Sequence, residues 1–209
     1  MPFQLALDEI LFRQMEFAVS SRPVLRFYYS SEPWVTVGYS FKNGELKNRQ
    51  ALKVCRRITG GGSVSHGNDL IFSLVARKDH DDSFASVRLS YLKIHEAVKW
   101  GLDSLGKTTR FYRCDEKLPK GKDCFRFPIA TDLALGEEKI AGGGQKRSSG
   151  VMLHEESVKI PKRVSPEALI KSVGKGFREV FNIQMKGAQL TPGLLQEAGT
   201  LAKVKYGRT

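Results

Sequence analysis

The segment Arg56-Arg57-Ile58-Thr59-Gly60-Gly61-Gly62-Ser63-Val64-Ser65-His66 sets two fixed cations ahead of three glycines and a histidine. Further along, Lys139-Ile140-Ala141-Gly142-Gly143-Gly144-Gln145-Lys146-Arg147 repeats the combination. Triple glycine builds regular structure poorly, because glycine loses the most backbone freedom on folding. Each run is therefore expected as a loop. A loop of this kind is either a plain turn or bulge or a stretch that brings backbone N–H groups close to an anion. Two such loops with matching cations point to one shared site for an acidic or activated ligand. Neither run fits a phosphate loop by spacing: Gly-x-x-x-x-Gly-Lys-Ser/Thr is absent, and so is Gly-x-Gly-x-x-Gly opening a helix.

The other chemistry-bearing residues are three cysteines and four histidines. Cys55 ends the apolar run Leu52-Lys53-Val54-Cys55 and reads as a small core residue. Cys114 and Cys124 stand in a polar segment, where a thiol is exposed and where the two could pair under oxidation. An odd number of cysteines without framework spacing argues against a secreted disulfide scaffold and for a reducing, cytoplasmic setting. His80, His95 and His154 have no metal-ligand spacing with the cysteines, so no metal site is expected.

These residues need elements to position them. Leu7, Ile10, Leu11 and Met15 recur at helical spacing, giving a helix over about 5–19, with Asp8 and Glu9 favouring its first turn. Val24 to Tyr29 and Trp34 to Tyr39 read as strands around the Glu32-Pro33 turn. A polar stretch with a short helix follows at 41–51, then a strand over 53–57 feeding the first glycine run, then a central strand over 69–76. Ser86 to Leu105 is the strongest helix, with Leu89, Leu92, Ile94, Ala97, Val98, Leu102 and Leu105 on one face and Gly106 as its stop. Residues 114–123 read as a mobile loop. A hairpin over 130–141 turns at Gly136-Glu137-Glu138, and 150–153 and 157–160 add two more strands. Ser165-Pro166-Glu167 and Thr191-Pro192 each pair an N-cap with a first-turn proline and open the last helices.

Strands in the middle with helices at start, centre and end make an α+β fold, a mixed, mainly antiparallel sheet with packed helices. The 209 residues suit one domain over 1–209. At 41% hydrophobic content they support a sizeable core. No apolar run reaches the ~18 residues of a membrane span, and no signal-peptide pattern opens the chain. The net charge of +12 implies an acidic partner, either nucleic acid or an acidic protein.

The order of segments from Leu5 to about Tyr206 resembles the catalytic domain shared by lipoate–protein ligases, lipoyl/octanoyl transferases and, more distantly, biotin–protein ligases. Leu7-Asp8-Glu9 resembles the opening helix, and residues 56–66 resemble the motif Arg-Arg-x-Ser/Thr-Gly-Gly-Gly-x-Val-x-His. Thr131-Asp132-Leu133 with Gly136, Lys139, Ile140, Ala141 and Gly142 resembles the hairpin bearing the family's essential lysine. Lys205-Tyr206 resembles a pair near the end of the domain. Asp123-Cys124-Phe125 ahead of Asp132 and Lys139 is similar to the cysteine-dependent octanoyltransferases, whose loop cysteine takes the acyl group as a thioester. Three places depart from the pattern: Gly67 where an acid often follows the motif histidine, Gly142-Gly143-Gly144 after the lysine, and acids in His154-Glu155-Glu156-Ser157 where glycine or glutamine is common. The accessory C-terminal domain of many full ligases is not expected here.

The resemblance implies transfer of an octanoyl or lipoyl group onto a lysine of an acidic lipoyl domain, with no nucleic-acid or membrane partner. Cys124 would take the acyl group from octanoyl-acyl carrier protein and pass it to the acceptor lysine. Lys122, Arg126 and Lys139 are the cations that could favour its thiolate. Lys139, read alone a solvated hairpin lysine, would stabilise charge on the reacting oxygen. Arg56, Arg57, Gly60, Gly61, Gly62, Ser63, His66, Asp132, Ala141, Gly142 and Gly143 would surround the acyl group or an acyl-adenylate. His66 would either orient the chain or be satisfied by backbone hydrogen bonds. The transferase needs no cofactor. The alternative, a ligase acting through lipoyl-adenylate, needs lipoate, ATP and Mg²⁺. Two further alternatives are a basic binding domain without catalysis, whose nucleic-acid binding would be salt-sensitive, and a family member that keeps only acyl or partner binding.

Overall fold

In the computed structural model the described residues are 1–17, 22–42, 53–112, 123–126 and 128–207. Helix α1 runs Pro2–Phe17, followed by β1 (Val24–Tyr28), β2 (Trp34–Val37), β3 (Val54–Arg56), β4 (Ser63–His66) and β5 (Asp69–Arg77). A single 3₁₀ turn over Asp82–Ala85 leads into α2 (Val87–Ser104). Then come β6 (Thr109–Phe111), β7 (Leu133–Leu135), β8 (Glu138–Ser148), β9 (Val151–Lys159), α3 (Pro166–Phe181) and α4 (Pro192–Leu201). The helix expected within 41–51 and most of the loop at 114–123, with Cys114 and Lys122, lie outside the described residues.

Six strands form one antiparallel sheet in the order β1-β5-β9-β8-β7-β6, and β3-β2-β4 form a second, smaller sheet in which β2 and β3 run parallel. Alternation along β5 explains the layering, since successive side chains leave opposite faces of a strand. Leu70, Phe72, Leu74 and Ala76 point into the main core with Ile94, Val98 and Leu102 of α2 and Leu169, Val173 and Phe177 of α3. Val75, on the other face, meets Phe12 and Met15 of α1. The large sheet is therefore covered on both faces.

Local signals set the helix ends. The side chains of Ser86, Ser165 and Thr191 accept from the backbone N–H groups of Leu89, Ala168 and Leu194, and Pro166 and Pro192 open their helices. Helix α1 differs from expectation. It begins at Pro2, so Asp8 and Glu9 lie mid-helix and buried rather than in a solvated first turn. Each is held by partners: Asp8 by Arg26, Ser73 and the Tyr28 hydroxyl at 2.8 Å, Glu9 by Arg13, Lys205 and Tyr206.

Two further expectations are corrected. Gly142 to Gly144 form no loop; they sit inside β8, paired with Ser157, Glu156 and Glu155. The two short strands at 150–153 and 157–160 are one strand, β9, because the polar residues between them are buried against partners on both faces. Ser149 and Gly150 close the β8–β9 hairpin with φ of 49° and 75°, the two positive values a type I′ turn requires.

Candidate active site

A pocket enclosing about 420 Å³ of space, part of it open to solvent, lies between the two sheets and the start of α1. Its wall includes Leu5, Tyr28, Val64 and Ile71 as apolar surface, and Thr36, Arg57, His66 and Cys124 as polar groups. Gly142, Gly143, Gly144, Glu155, Glu156 and Ser157 form the sheet side. The structure thus brings five of the expected site residues, Arg57, His66, Cys124, Gly142 and Gly143, into one wall.

The first glycine run builds the part that faces Cys124. Gly38 N–H donates to Gly62 O at 3.1 Å, and Gly60 N–H donates to Gln145 O at 3.1 Å, tying the run to both sheets. Gly61 adopts φ +98°, a conformation open mainly to glycine. Arg57, buried, donates from Nη2 to Gly60 O and Gly62 O at 2.8 and 3.1 Å and holds the curve from inside. Gly62 N–H then points at Cys124 Sγ, 3.2 Å away. Cys124 N–H donates to Ser63 O at 2.9 Å, which fixes the cysteine beside the run. A backbone donor aimed at sulfur stabilises negative charge there.

Lys139 is buried rather than solvated. Its Nζ donates to Asp132 Oδ2 at 2.6 Å, and the same oxygen accepts from Ile129 N–H at 2.7 Å. Burial pushes the Asp132 carboxyl up, against the pull of Lys139. Nζ also lies 5.4 Å from the centre of the Phe125 ring, next to Cys124. A register shift between β7 and β8 pairs Ala134 with Lys139 and Leu133 with Ala141, leaving Ile140 as the extra residue of a bulge. Bulges re-aim neighbouring side chains, here the lysine.

The glycines of β8 make room for side chains. A Cβ on Gly142 would stand 2.3 Å from Lys139 Nζ, and one on Gly143 2.3 Å from Glu156 Oε2. On Gly144 it would stand 2.6 Å from Gly60 O, so this residue lets the two glycine runs touch.

His66 is satisfied by side chains, not by the backbone. Nε2 meets Thr36 Oγ1 at 2.8 Å and Nδ1 meets Asp69 Oδ2 at 2.6 Å, and Asp69 also accepts from Ser157 Oγ and Gly67 N–H. The acid missing at position 67 is therefore supplied two residues later. Burial would raise the Asp69 carboxyl, but His66 and its hydrogen bonds hold it low.

Two expected site residues lie elsewhere. Arg56 donates to the carbonyls of Gly38, Tyr39 and Phe41 and so shapes that turn instead of lining the cavity. Ala141 is fully buried in the main core. Gly60 to Gly62, Ser63, Asp132 and Lys139 are not in the wall but lie against residues that are. Cys55 is buried, and burial pushes its thiol up to about 12.

Sequence reasoning missed the charged groups of β9, of which Glu155 and Glu156 line the wall. Glu155 accepts from the Thr59 hydroxyl, and burial beside Asp8 raises it to about 7. Glu156 meets His95 Nε2 at 2.9 Å and His154 Nε2 at 2.8 Å. Spacing in the sequence hid this trio, because α2 and β9 join only in the fold. The acids in His154-Glu155-Glu156, a visible departure from the family pattern, were the available signal.

Octanoyltransferase LipM of Bacillus cereus is 27% identical over 98% of this chain and 91% of its own length. Octanoyltransferase LipM of Halalkalibacterium halodurans is 31% identical over 75% of this chain and 60% of its own. Among solved structures, a bipartite lipoate protein ligase of Thermoplasma acidophilum, studied with its E2 lipoyl domain, has a TM-score of 0.73 at 24% identity. It covers 99% of this chain and 89% of that one, and carries the likeness of fold alone. The family model for the lipoyl protein ligase A/B catalytic domain matches residues 1–166, and the chain belongs to that family.

Proposed function

We propose that this protein transfers an octanoyl group onto a lysine of a lipoyl domain through a thioester on Cys124. The observation that carries this reading is Cys124 Sγ on the cavity wall beneath the Gly62 N–H. The relatives named octanoyltransferase support it.

In the first half-reaction the Cys124 thiolate attacks the carbonyl carbon of an octanoyl thioester on an acyl carrier protein. The carrier's carbon–sulfur bond breaks and the carrier leaves as a thiolate, which takes up the proton that Cys124 lost on ionising. The alkyl chain lies along Leu5, Val64 and Ile71. Lys139, steadied by Asp132, supplies a donor to the carbonyl oxygen as charge develops on it. In the second half-reaction the neutral amine of the acceptor lysine attacks the Cys124 thioester. An amide forms, and the proton lost by the amine ends on the Cys124 sulfur. Thioester energy drives both steps, so the route uses neither ATP nor Mg²⁺. The +12 charge favours the approach of an acidic lipoyl domain.

The test is mass spectrometry of an apo lipoyl domain incubated with the protein and octanoyl-acyl carrier protein, without ATP, beside Cys124→Ala. Acylation by the native protein that drops at least about 1000-fold in the variant is expected, as for loss of a covalent nucleophile. Modification that needs free lipoate and ATP, and survives Cys124→Ala, would replace the transferase by a ligase.

A further inference from the structure

Behind the β8 glycines lies a polar network that reaches the cavity wall at Glu156 and whose groups take no direct part in the transfer reaction. Its members come from α2, β8, β9 and the Thr131–Asp132 turn. His95, His154 and Glu156 are wholly or almost wholly buried, and the three groups offer ligand atoms within 4.8 Å of one another. Two histidines and one carboxylate are a common metal set. The hydrogen-bond directions decide between a metal and protons.

Arg147 Nε donates to Gln145 Oε1 at 2.9 Å. That leaves Gln145 Nε2 to face Ser90 Oγ at 3.0 Å and His154 Nδ1 at 3.1 Å. His154 Nδ1 therefore accepts, and its proton sits on Nε2, the atom a metal would need, pointing at Glu156 Oε2. His95 Nδ1 faces the carbonyl of Thr131, which can only accept, so that nitrogen is protonated. The proton between His95 Nε2 and Glu156 belongs to the histidine. Burial alone would lower His95, but the Glu156 charge overrides it and holds the ring protonated, while Glu156 falls to about 2. The groups facing His95 are Tyr91 of its own helix, His154 and Glu156 of β9, and Asp132 of the turn. Among the described residues, the second carboxylate oxygen of Glu156 has no hydrogen-bond partner.

We propose that His95 is a positioning residue of the transfer reaction: its ring ties helix α2 to the Thr131–Asp132 turn and so fixes the carboxylate that holds Lys139. The chain of contacts is short. His95 Nδ1 takes the Thr131 carbonyl, the next residue is Asp132, and Asp132 Oδ2 carries Lys139 Nζ at 2.6 Å. Gly143 is part of the device, because its missing Cβ leaves the space that Glu156 and His154 occupy. Tyr91 closes the other side, its hydroxyl donating to Gly143 O at 3.3 Å.

The role of Lys139 in this proposal rests on the transferase reading, so the experiment includes readouts that do not. Nitrogen-15 NMR of the native protein should show one histidine with both ring nitrogens protonated above the ordinary histidine pKa of about 6.5. His95→Gln should raise the labelling of Lys139 by a small amine-acylating reagent, read by mass spectrometry. It should also lower kcat for octanoyl transfer about 100-fold, the size expected for a misplaced catalytic group, while KM for the acceptor stays put. A native protein carrying one equivalent of tightly bound zinc, or a singly protonated His95, would overturn the proposal. So would a folded His95→Gln variant with unchanged Lys139 labelling and kcat. If the native protein transfers no octanoyl group at all, the function fails, while NMR and labelling still decide the place of His95.

Discussion

Glu155 shows how a single buried group sets a pH dependence. It faces Asp8 across the interface between α1 and β9, and burial together with that neighbouring acid raises it to about 7. An unfolded glutamate titrates near 4.3. A carboxyl whose folded value is the higher one binds its proton more tightly in the native state. Its stabilising effect is complete at low pH and fades as pH rises between about 4.5 and 7. We predict that Glu155→Gln removes this slope. The variant should match the native protein near pH 5 and exceed its stability above pH 7 by on the order of 1–3 kcal/mol. Urea unfolding at a series of pH values measures this. Parallel pH profiles for the two proteins would show that Glu155 stays ionised in the fold. The Thr59 hydroxyl that Glu155 accepts belongs to the glycine motif, so this titration reaches the cavity wall directly.

At the scale of elements, α2 and α3 cross at two glycines. A Cβ on Gly101 would stand 2.8 Å from Val173 Cα, and one on Gly176 only 2.1 Å from Ala97 O. Both obstacles are backbone, which cannot swing aside as a side chain can. Intrinsic propensity argues the other way, since alanine is favoured over glycine in a helix by about 1 kcal/mol. Overpacking costs about 1–3 kcal/mol and more against rigid atoms, so packing wins. Gly176→Ala is expected to lower unfolding free energy by about 2 kcal/mol or more. Gly199→Ala in α4, where a Cβ meets nothing within 4 Å, is expected to raise it by up to about 1 kcal/mol. Denaturant curves of the two variants must move in opposite directions; movement in the same direction would remove the packing argument.

The same contrast separates the legible elements from the hidden ones. Ser165-Pro166 and Thr191-Pro192 announce their helices because a cap is decided by four neighbouring residues. Gly142 to Gly144 read as a loop in the sequence because their purpose, space for Lys139, Glu156 and the Gly60 carbonyl, belongs to residues distant in the chain. Cys124 and Lys139 are legible through family resemblance, although the burial of Lys139 is not. The cluster of His95, His154 and Glu156 has no ligand-like spacing in the sequence, and its one trace there is the departure at His154-Glu155-Glu156.

Across the whole molecule, the family match ends at residue 166, yet Leu5 of the cavity wall packs on the C-terminal elements beyond it. Helix α4 and the single π turn over Ala202–Tyr206 lie on α1. Tyr206, buried, packs with Leu5, Ala6 and Cys55, and its hydroxyl donates to Glu9. Lys205 meets both Glu9 oxygens at 2.7 Å, but its side chain is 42% exposed. The two contacts share one carboxylate and differ in burial, which separates their contributions. Tyr206→Ala removes a buried aromatic ring and strips Glu9 of an internal donor, a loss of about 3–5 kcal/mol by the cost of large-to-small core changes. Lys205→Ala breaks a solvent-screened ion pair, for which about 0–1 kcal/mol is typical. Because Leu5 is both a neighbour of Tyr206 and part of the cavity wall, Tyr206→Ala is also expected to raise KM for the acyl donor, and Lys205→Ala to leave it unchanged. Unfolding and transfer kinetics on the two variants test this together. Equal losses in both would place the hold on α1 in the ion pair, and a stability loss in Tyr206→Ala with donor KM unchanged would uncouple the C-terminal segment from the cavity.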